Sequence, residues 1–180
     1  GGTGTTANAT LSIAKLGIAK AFAPTTIANG GTSLLTFTIS NPTGAARTGI
    51  TFNDDLGAVG LSMVNGTVGG TCTGVVSNAG AGVTNFQVTA GNVPTPGPCT
   101  ITVNVTSTLA GTHNNQASGV AHSTDAVPGA PSNIATLIVL AAPLVAKSFT
   151  PTIIGQNGTA LLTVSLTNLN AVDMTASSFT

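Results

Sequence analysis

The sequence predicts an all-β protein built from antiparallel immunoglobulin-like β-sandwich repeats. Three observations carry this expectation. First, the composition favours strands: charged residues make up 4% of the 180-residue chain, against about 25% in ordinary globular domains. Thr, Val, Ala, Gly and Asn fill the space, and Thr and Val suit a pleated, half-buried surface. Second, apolar and polar residues alternate with period two over several short stretches, each bounded by Gly, Pro or Asn. Third, a 23-residue stretch occurs twice. Ala19–Asn41 reads AKAFAPTTIANGGTSLLTFTISN, and Ala146–Asn168 reads AKSFTPTIIGQNGTALLTVSLTN, an ungapped offset of 127 residues that runs on to Phe52 and Phe179. A fixed period signals a tandem array.

Taken in order, the chain opens with Gly1–Asn8, flexible in composition, followed by Ala9–Ala14, which resembles Ala135–Leu140. Residues 1–17 are therefore expected to hold the last strand of a preceding repeat, or a donor strand. Residues 18–142 are read as one whole repeat, and residues 143–180 as the first strands of the next. Within the whole repeat, Ile18–Phe22 is a strand ended by Pro24. Thr32–Asn41 places Leu35, Phe37 and Ile39 on one face and threonines and Ser40 on the other. Thr48–Asn53 is the next strand, with Ile50 and Phe52 inward. Leu56–Val64 is irregular, Gly69-Gly70 is a break, and Thr71–Val76 resumes. Val83–Thr89 alternates through Phe86 and Val88. Pro94, Pro96 and Pro98 make a loop that cannot donate ladder hydrogen bonds. Cys99–Ser107 is the clearest strand, with Ile101, Val103 and Val105 inward. Thr112–His122 is read as a strand of small polar residues, Asp125–Ser132 as a loop, and Asn133–Leu140 as the closing strand. This gives about eight or nine strands with turn signals between them, the pattern of a sandwich. No segment has a helical period. The short linker Ala141-Ala142-Pro143 should hold adjacent repeats at a restricted angle.

Composition also excludes function classes. Formal net charge is zero, so no charge attracts nucleic acid or anionic lipid. The longest apolar run, Leu137–Val145, is far below the ~18–20 residues of a membrane span. No signal peptide is recognisable. Trypsin has no site between Arg47 and Lys147, and the few titrating groups predict stability that varies little with pH. Cys72 and Cys99, the only cysteines, are expected to pair as a disulfide in a secreted β domain, adding about 3–4 kcal/mol in the chain-entropy model.

The order of motifs resembles a known family. Lys20-x-Phe22-x-Pro24-x-x-Ile27 comes first, then Gly31-Thr32-x-Leu34-Leu35 through Asn41, then Gly49-Ile50-Thr51-Phe52-Asn53-Asp54-Asp55-Leu56. Gly69-Gly70 before Cys72, Pro98-Cys99 through Ser107, Gly111–Val120 and Ala135–Val139 follow. This order is similar to the Ig-like conserved repeats of large bacterial surface and secreted proteins, long catalogued as a domain of unknown function. The resemblance covers essentially the whole chain and rests on packing and turn motifs, so it specifies a module and not an activity. It implies an extracellular or cell-surface location and a structural or adhesive role. In the second copy, Ser177 replaces Ile50.

Candidate chemistry is sparse. Asp54 and Asp55 are candidate calcium ligands, but calcium takes six to eight oxygens and the only other acids are Asp125 and Asp173. A solvated turn is the plainer reading, and no metal or cofactor is expected. Lys20 and Lys147 sit in the first strand of their copies, where some bacterial pilus domains form an isopeptide bond to Asn. Asn133 and Asp54 are the candidate partners for Lys20, and a lysine blunting a sheet edge is the plainer reading. His113 and His122 read as surface histidines. Asn8, Asn65, Asn104 and Asn157 head N-x-Thr triplets, candidate glycosylation acceptors that also arise by chance in a chain rich in Asn and Thr. No nucleophile–base set or phosphate-binding Gly loop appears, so no enzyme is expected. The leading reading is a structural repeat of a surface fibre, stalk or filament whose partners are neighbouring copies of itself. Alternatives are a pilus-like subunit polymerising by donor-strand complementation, and an adhesin or carbohydrate-binding module contacting surface glycans, which the absence of Trp and Tyr weakens.

Overall fold

The computed structural model describes residues 14–95, 97–123, 125 and 127–173. The expected strand at Ala9–Ala14 falls almost wholly outside these residues, as do Asn8, Ser177 and Phe179.

Alternating residues bury one side of the principal strands of the sandwich, and the buried sides of two layers meet. The first layer has the order β1-β3-β9-β6, all antiparallel. Its strands are β1 (Gly17–Ala23), β3 (Thr32–Ser40), β6 (Ser62–Gly70) and β9 (Cys99–Thr106). Leu35, Phe37 and Ile39 of β3 are buried, as are Ile101, Val103 and Val105 of β9. The inward faces expected from alternation are therefore the observed ones.

The second layer combines two groups of strands. β10 (Gly111–Asn115) pairs with β11 (Ala135–Leu140), which pairs with the short β2 (Thr26–Ala28). β8 (Asn85–Val93) pairs with β4 (Arg47–Thr48), β5 (Phe52–Asp55) and β7 (Thr73–Ser77). Beyond β10 the chain runs beside β5: Ser118 donates to the Asn53 carbonyl at 2.9 Å, and Thr51 and Ala121 exchange backbone bonds. The two groups thus join into one surface opposite β3 and β9. At the centre, the Phe37 ring from one layer lies 5.1 Å from Phe52 and 5.7 Å from Phe86 of the other.

Four local expectations need correction. The predicted strand Thr48–Asn53 is divided, because Gly49 adopts φ +70°, and its second part runs on to Asp55. Gly69-Gly70 is not itself the break but the last two residues of β6, and the interruption falls at Thr71-Cys72, before β7 starts at Thr73. Gly70 takes φ +112°, and a Cβ there would lie 2.1 Å from the Thr100 carbonyl, so only glycine lets β6 approach β9 so closely. The predicted strand Thr112–His122 ends at Asn115, with a single bridge at Ala121. β2, unread in the sequence, pairs in parallel with β11 because the chain returns across the sandwich at Pro24. Between β5 and β6 lies one 3-10 turn, Gly57–Val59. Cys72 and Cys99 are joined in a disulfide that fastens the β6–β7 connection to the start of β9.

A separate hairpin follows: β12 (Leu144–Thr150) and β13 (Leu161–Thr167). Its register repeats that of β1 and β3 residue for residue, with Leu144 opposite Thr167 as Gly17 is opposite Ser40. The bonds around its turns recur as well. Asn41 donates to the Ala45 carbonyl, and Asn168 to the Val172 carbonyl. The burial differs. Phe22 is 5% exposed and Leu35 0%, whereas their counterparts Phe149 and Leu162 are 53% and 48% exposed.

Truncating Phe37 to Ala should destabilise the sandwich by about 3–5 kcal/mol, as for other buried aromatic residues. Truncating its outward neighbour Thr38 should change stability by less than about 0.5 kcal/mol. Denaturant unfolding of the two variants checks the difference.

Candidate functional site: a buried Lys–Asp–Asn cluster

β1 alternates with Ile18, Lys20 and Phe22 turned inward, and β5 with Phe52 and Asp54 inward. β10 places His113 and Asn115 inward. A lysine, an acid and an amide thus take core positions on three strands, and the sandwich brings them together. The Lys20 Nζ donates to Asp54 Oδ2 and to Asn115 Oδ1. Asn115 Nδ2 donates to Asp54 Oδ1 at 2.9 Å and to the Asp55 carbonyl at 3.2 Å. Each of the three side chains touches the other two. The Lys20 and Asp54 side chains are fully buried, and Asn115 is 2% exposed.

The surroundings are apolar. The rings of Phe22 and Phe37 have centroids 5.7 Å and 5.5 Å from Lys20 Nζ. Burial is the largest influence on the amine and lowers its pKa from 10.5 to about 8, against the opposing pull of the Asp54 charge and hydrogen bond. Desolvation disfavours the charged ammonium more than one carboxylate can offset.

Several sequence expectations change here. Lys20 blunts no sheet edge: it is a core residue. Asp54 is no solvated turn residue but the strand partner of Phe86. Asp55 does lie outward, where its carboxylate accepts from the Ala58 N–H at 3.0 Å. Asn133, the amide named as a partner for Lys20, holds the Lys20 backbone instead. Its Oδ1 accepts from the Lys20 N–H at 2.8 Å, and its Nδ2 donates to the Lys20 carbonyl at 2.9 Å. These two bonds act as a one-residue strand along the free edge of β1. His113 is not a surface residue. It is buried, with one ring nitrogen against the Val59 carbonyl and the other 2.8 Å from the Leu109 carbonyl, which ties the 3-10 turn to β10 beside Asn115. His122 is half-buried.

The remaining candidate residues lie apart from this cluster. Asn65 is half-buried, and its Oδ1 accepts from the Thr67 N–H at 3.0 Å. Asn104 is half-buried on the outer side of β9, and Asn157 is exposed with φ 64°. Lys147 holds the place of Lys20 on β12, where it is exposed. Asn115 is the functional residue that sequence reading missed. Its signal was phase: His113, Asn115 and Ala117 follow one another at spacing two.

Two outcomes follow for the chain in which Lys20 is a free amine. Asp54→Ala leaves a buried amine unpaired and should cost about 3–5 kcal/mol, whereas Asp55→Ala loses one exposed turn bond, about 1 kcal/mol or less. The pH dependence also has a definite sign. Between pH ~8 and ~10.5 the unfolded chain binds more protons than the folded chain, so stability rises with pH across that window. This alkaline rise departs from the flat profile expected from composition. Urea midpoints across the window, compared with Lys20→Met, which should show no such rise, check it.

Among curated proteins, none matches the chain in sequence. Among solved structures, the non-cellulosomal cohesin from the hyperthermophilic archaeon Archaeoglobus fulgidus is similar at 14% identity with a TM-score of 0.49, covering 71% of this chain and 93% of that one. Residues 17–139, from the first residue of β1 to within one residue of the end of β11, match the family described as "Domain of unknown function (DUF7933)". The sandwich and its buried cluster are therefore one copy of this module, and the chain belongs to the DUF7933 family.

Proposed function

We propose that this protein is a structural repeat of an extracellular bacterial surface fibre or stalk, working by spacing, rigidity and resistance to proteases. The observation that carries this reading is the second hairpin. β12 and β13 repeat the register and turn bonds of β1 and β3 at an offset of 127 residues, yet leave exposed the face that β1 and β3 bury. A surface made of Phe149, Leu162, Val164 and Leu166 is a half-core, and apolar faces of this kind mark contact sites. In this reading residues 18–142 are one repeat, residues 143–180 begin another, and the remainder of that repeat covers the face. Residues 1–17 belong to the repeat before.

Other features support the same reading. The disulfide suits an oxidising compartment. Scarce Lys and Arg leave few tryptic sites. Asn170 exchanges hydrogen bonds with the backbone of Ala141, at 2.7 Å to its N–H and 2.9 Å to its carbonyl, which fastens the linker to the hairpin and restrains the angle between repeats. No helix among the described residues is long and apolar enough to cross a membrane. Polymerisation by strand donation draws on the same open face, with a neighbouring subunit supplying the covering strand. Surface glycans on the outward Asn and Thr side chains are compatible with either reading.

Antibody raised against the protein is expected to label intact, unpermeabilised cells that make it. Labelling only after permeabilisation would overturn the surface assignment. Under mild detergent without boiling, a fibre of covalently continuous repeats should run as one species, and a ladder of subunits would favour strand donation.

A further inference from the structure

We propose that Lys20 and Asn115 join in an intramolecular isopeptide bond, with Asp54 moving the protons. The placement of the three side chains carries this inference. Nζ lies against the Asn115 amide group. The two Asp54 oxygens face different atoms: Oδ2 faces the amine, and Oδ1 lies 2.9 Å from Nδ2, the nitrogen that must leave. One carboxylate therefore touches both the proton source and the leaving group. The cluster is closed to solvent and walled by Phe22 and Phe37, so water does not compete with the amine for the carbonyl carbon. Holding amine and amide together replaces an encounter with a step inside one molecule.

The reaction balances with the groups present. Lys20 begins as ammonium and Asp54 as carboxylate. One proton passes from Nζ to Oδ2, leaving a neutral amine. Burial, which lowers the amine's pKa to about 8, favours this transfer. Nζ then attacks Cγ of Asn115, and the carbonyl π pair moves to Oδ1 of the amide. Asp54 gives its proton to Nδ2 and takes a second one from Nζ. The Cγ–Nδ2 bond breaks, the carbonyl reforms, and ammonia leaves. Nζ and Cγ are now joined as an amide, and Asp54 retains one proton. No oxidant or other reactant is consumed.

Such a bond would tie β1 to β10, across the two layers and 95 residues of sequence. Pulled from its ends, the module would carry force from β1 through the cross-link to β10 and its partner β11. The chain between Lys20 and Asn115 would bear none of it.

Intact mass tests the inference directly. The folded wild-type chain, then denatured and fully reduced, is expected to be lighter than its sequence by one ammonia, about 17 Da. Tryptic digestion of the denatured chain should leave residues 16–47 covalently attached to residues 48–147, because an acylated Lys20 is not cleaved. Full mass, with residues 21–47 released as a free peptide, would overturn the proposal. Asn115→Asp should lose water instead of ammonia, which a merely structural contact would not produce. Asp54→Asn, nearly isosteric, should lower the rate of bond formation at least ~100-fold in chains whose circular dichroism shows them folded. Reaction at the wild-type rate would remove Asp54 from the mechanism. If Asp54→Asn does not fold, the wild-type mass and the Asn115→Asp product decide the matter by themselves.

Discussion

The interior of this sandwich is organised around the contact of Lys20 with Asp54 and Asn115. A charged amine in an apolar core is costly, and an acid beside it repays that cost only if their remaining hydrogen-bonding groups are also met. Here they are. Asn115 supplies an acceptor to the lysine and a donor to the aspartate, and its second N–H reaches the Asp55 carbonyl. The arrangement holds only if β1, β5 and β10 stand in one register. A slip of one residue in any of them would turn its polar side chain to the surface and an outward residue into the core. The cluster thus fixes strand register, which a core of interchangeable aliphatic side chains specifies less sharply.

The other tethers serve this arrangement. β1 is an edge strand of its sheet, and the Asn133 side chain occupies its free backbone groups at Lys20 itself. Edge strands left open invite pairing with other chains, so the same two bonds protect the edge and hold the lysine in place. His113 secures β10 two residues before Asn115. The Cys72–Cys99 disulfide lies elsewhere, where β6 meets β9. Together these restraints act on separate parts of the module, as a chain with so few charged residues and so much Gly would require.

The hairpin β12–β13 is informative because it repeats β1–β3 without its partners. Local sequence suffices for the hairpin: the register and the turn bonds recur. At the β-turn between the strands, Gly30 and Asn157 occupy equivalent places with φ 72° and 64°, the two residue types that enter the left-handed region most readily. Burial does not recur, because it depends on the opposite layer.

The sequence by itself determined the all-β class, the period of 127 residues and the inward faces of β3, β8 and β9, since alternation is a local property of the chain. It also held the phase of Lys20, Asp54 and Asn115, each two residues from a core position. It did not show their meeting. Lys20 and Asn115 are separated by 95 residues, and neither Asn115 nor Asn133 carries a local mark that selects one over the other. Nor did it show that Thr112–His122 would end its strand at Asn115, or that Asp54 would be a strand residue when its neighbour Asp55 faces solvent. Those outcomes depend on which strands lie opposite each other. Only the packing of the two layers decided that one lysine, one acid and one amide would share a dry pocket.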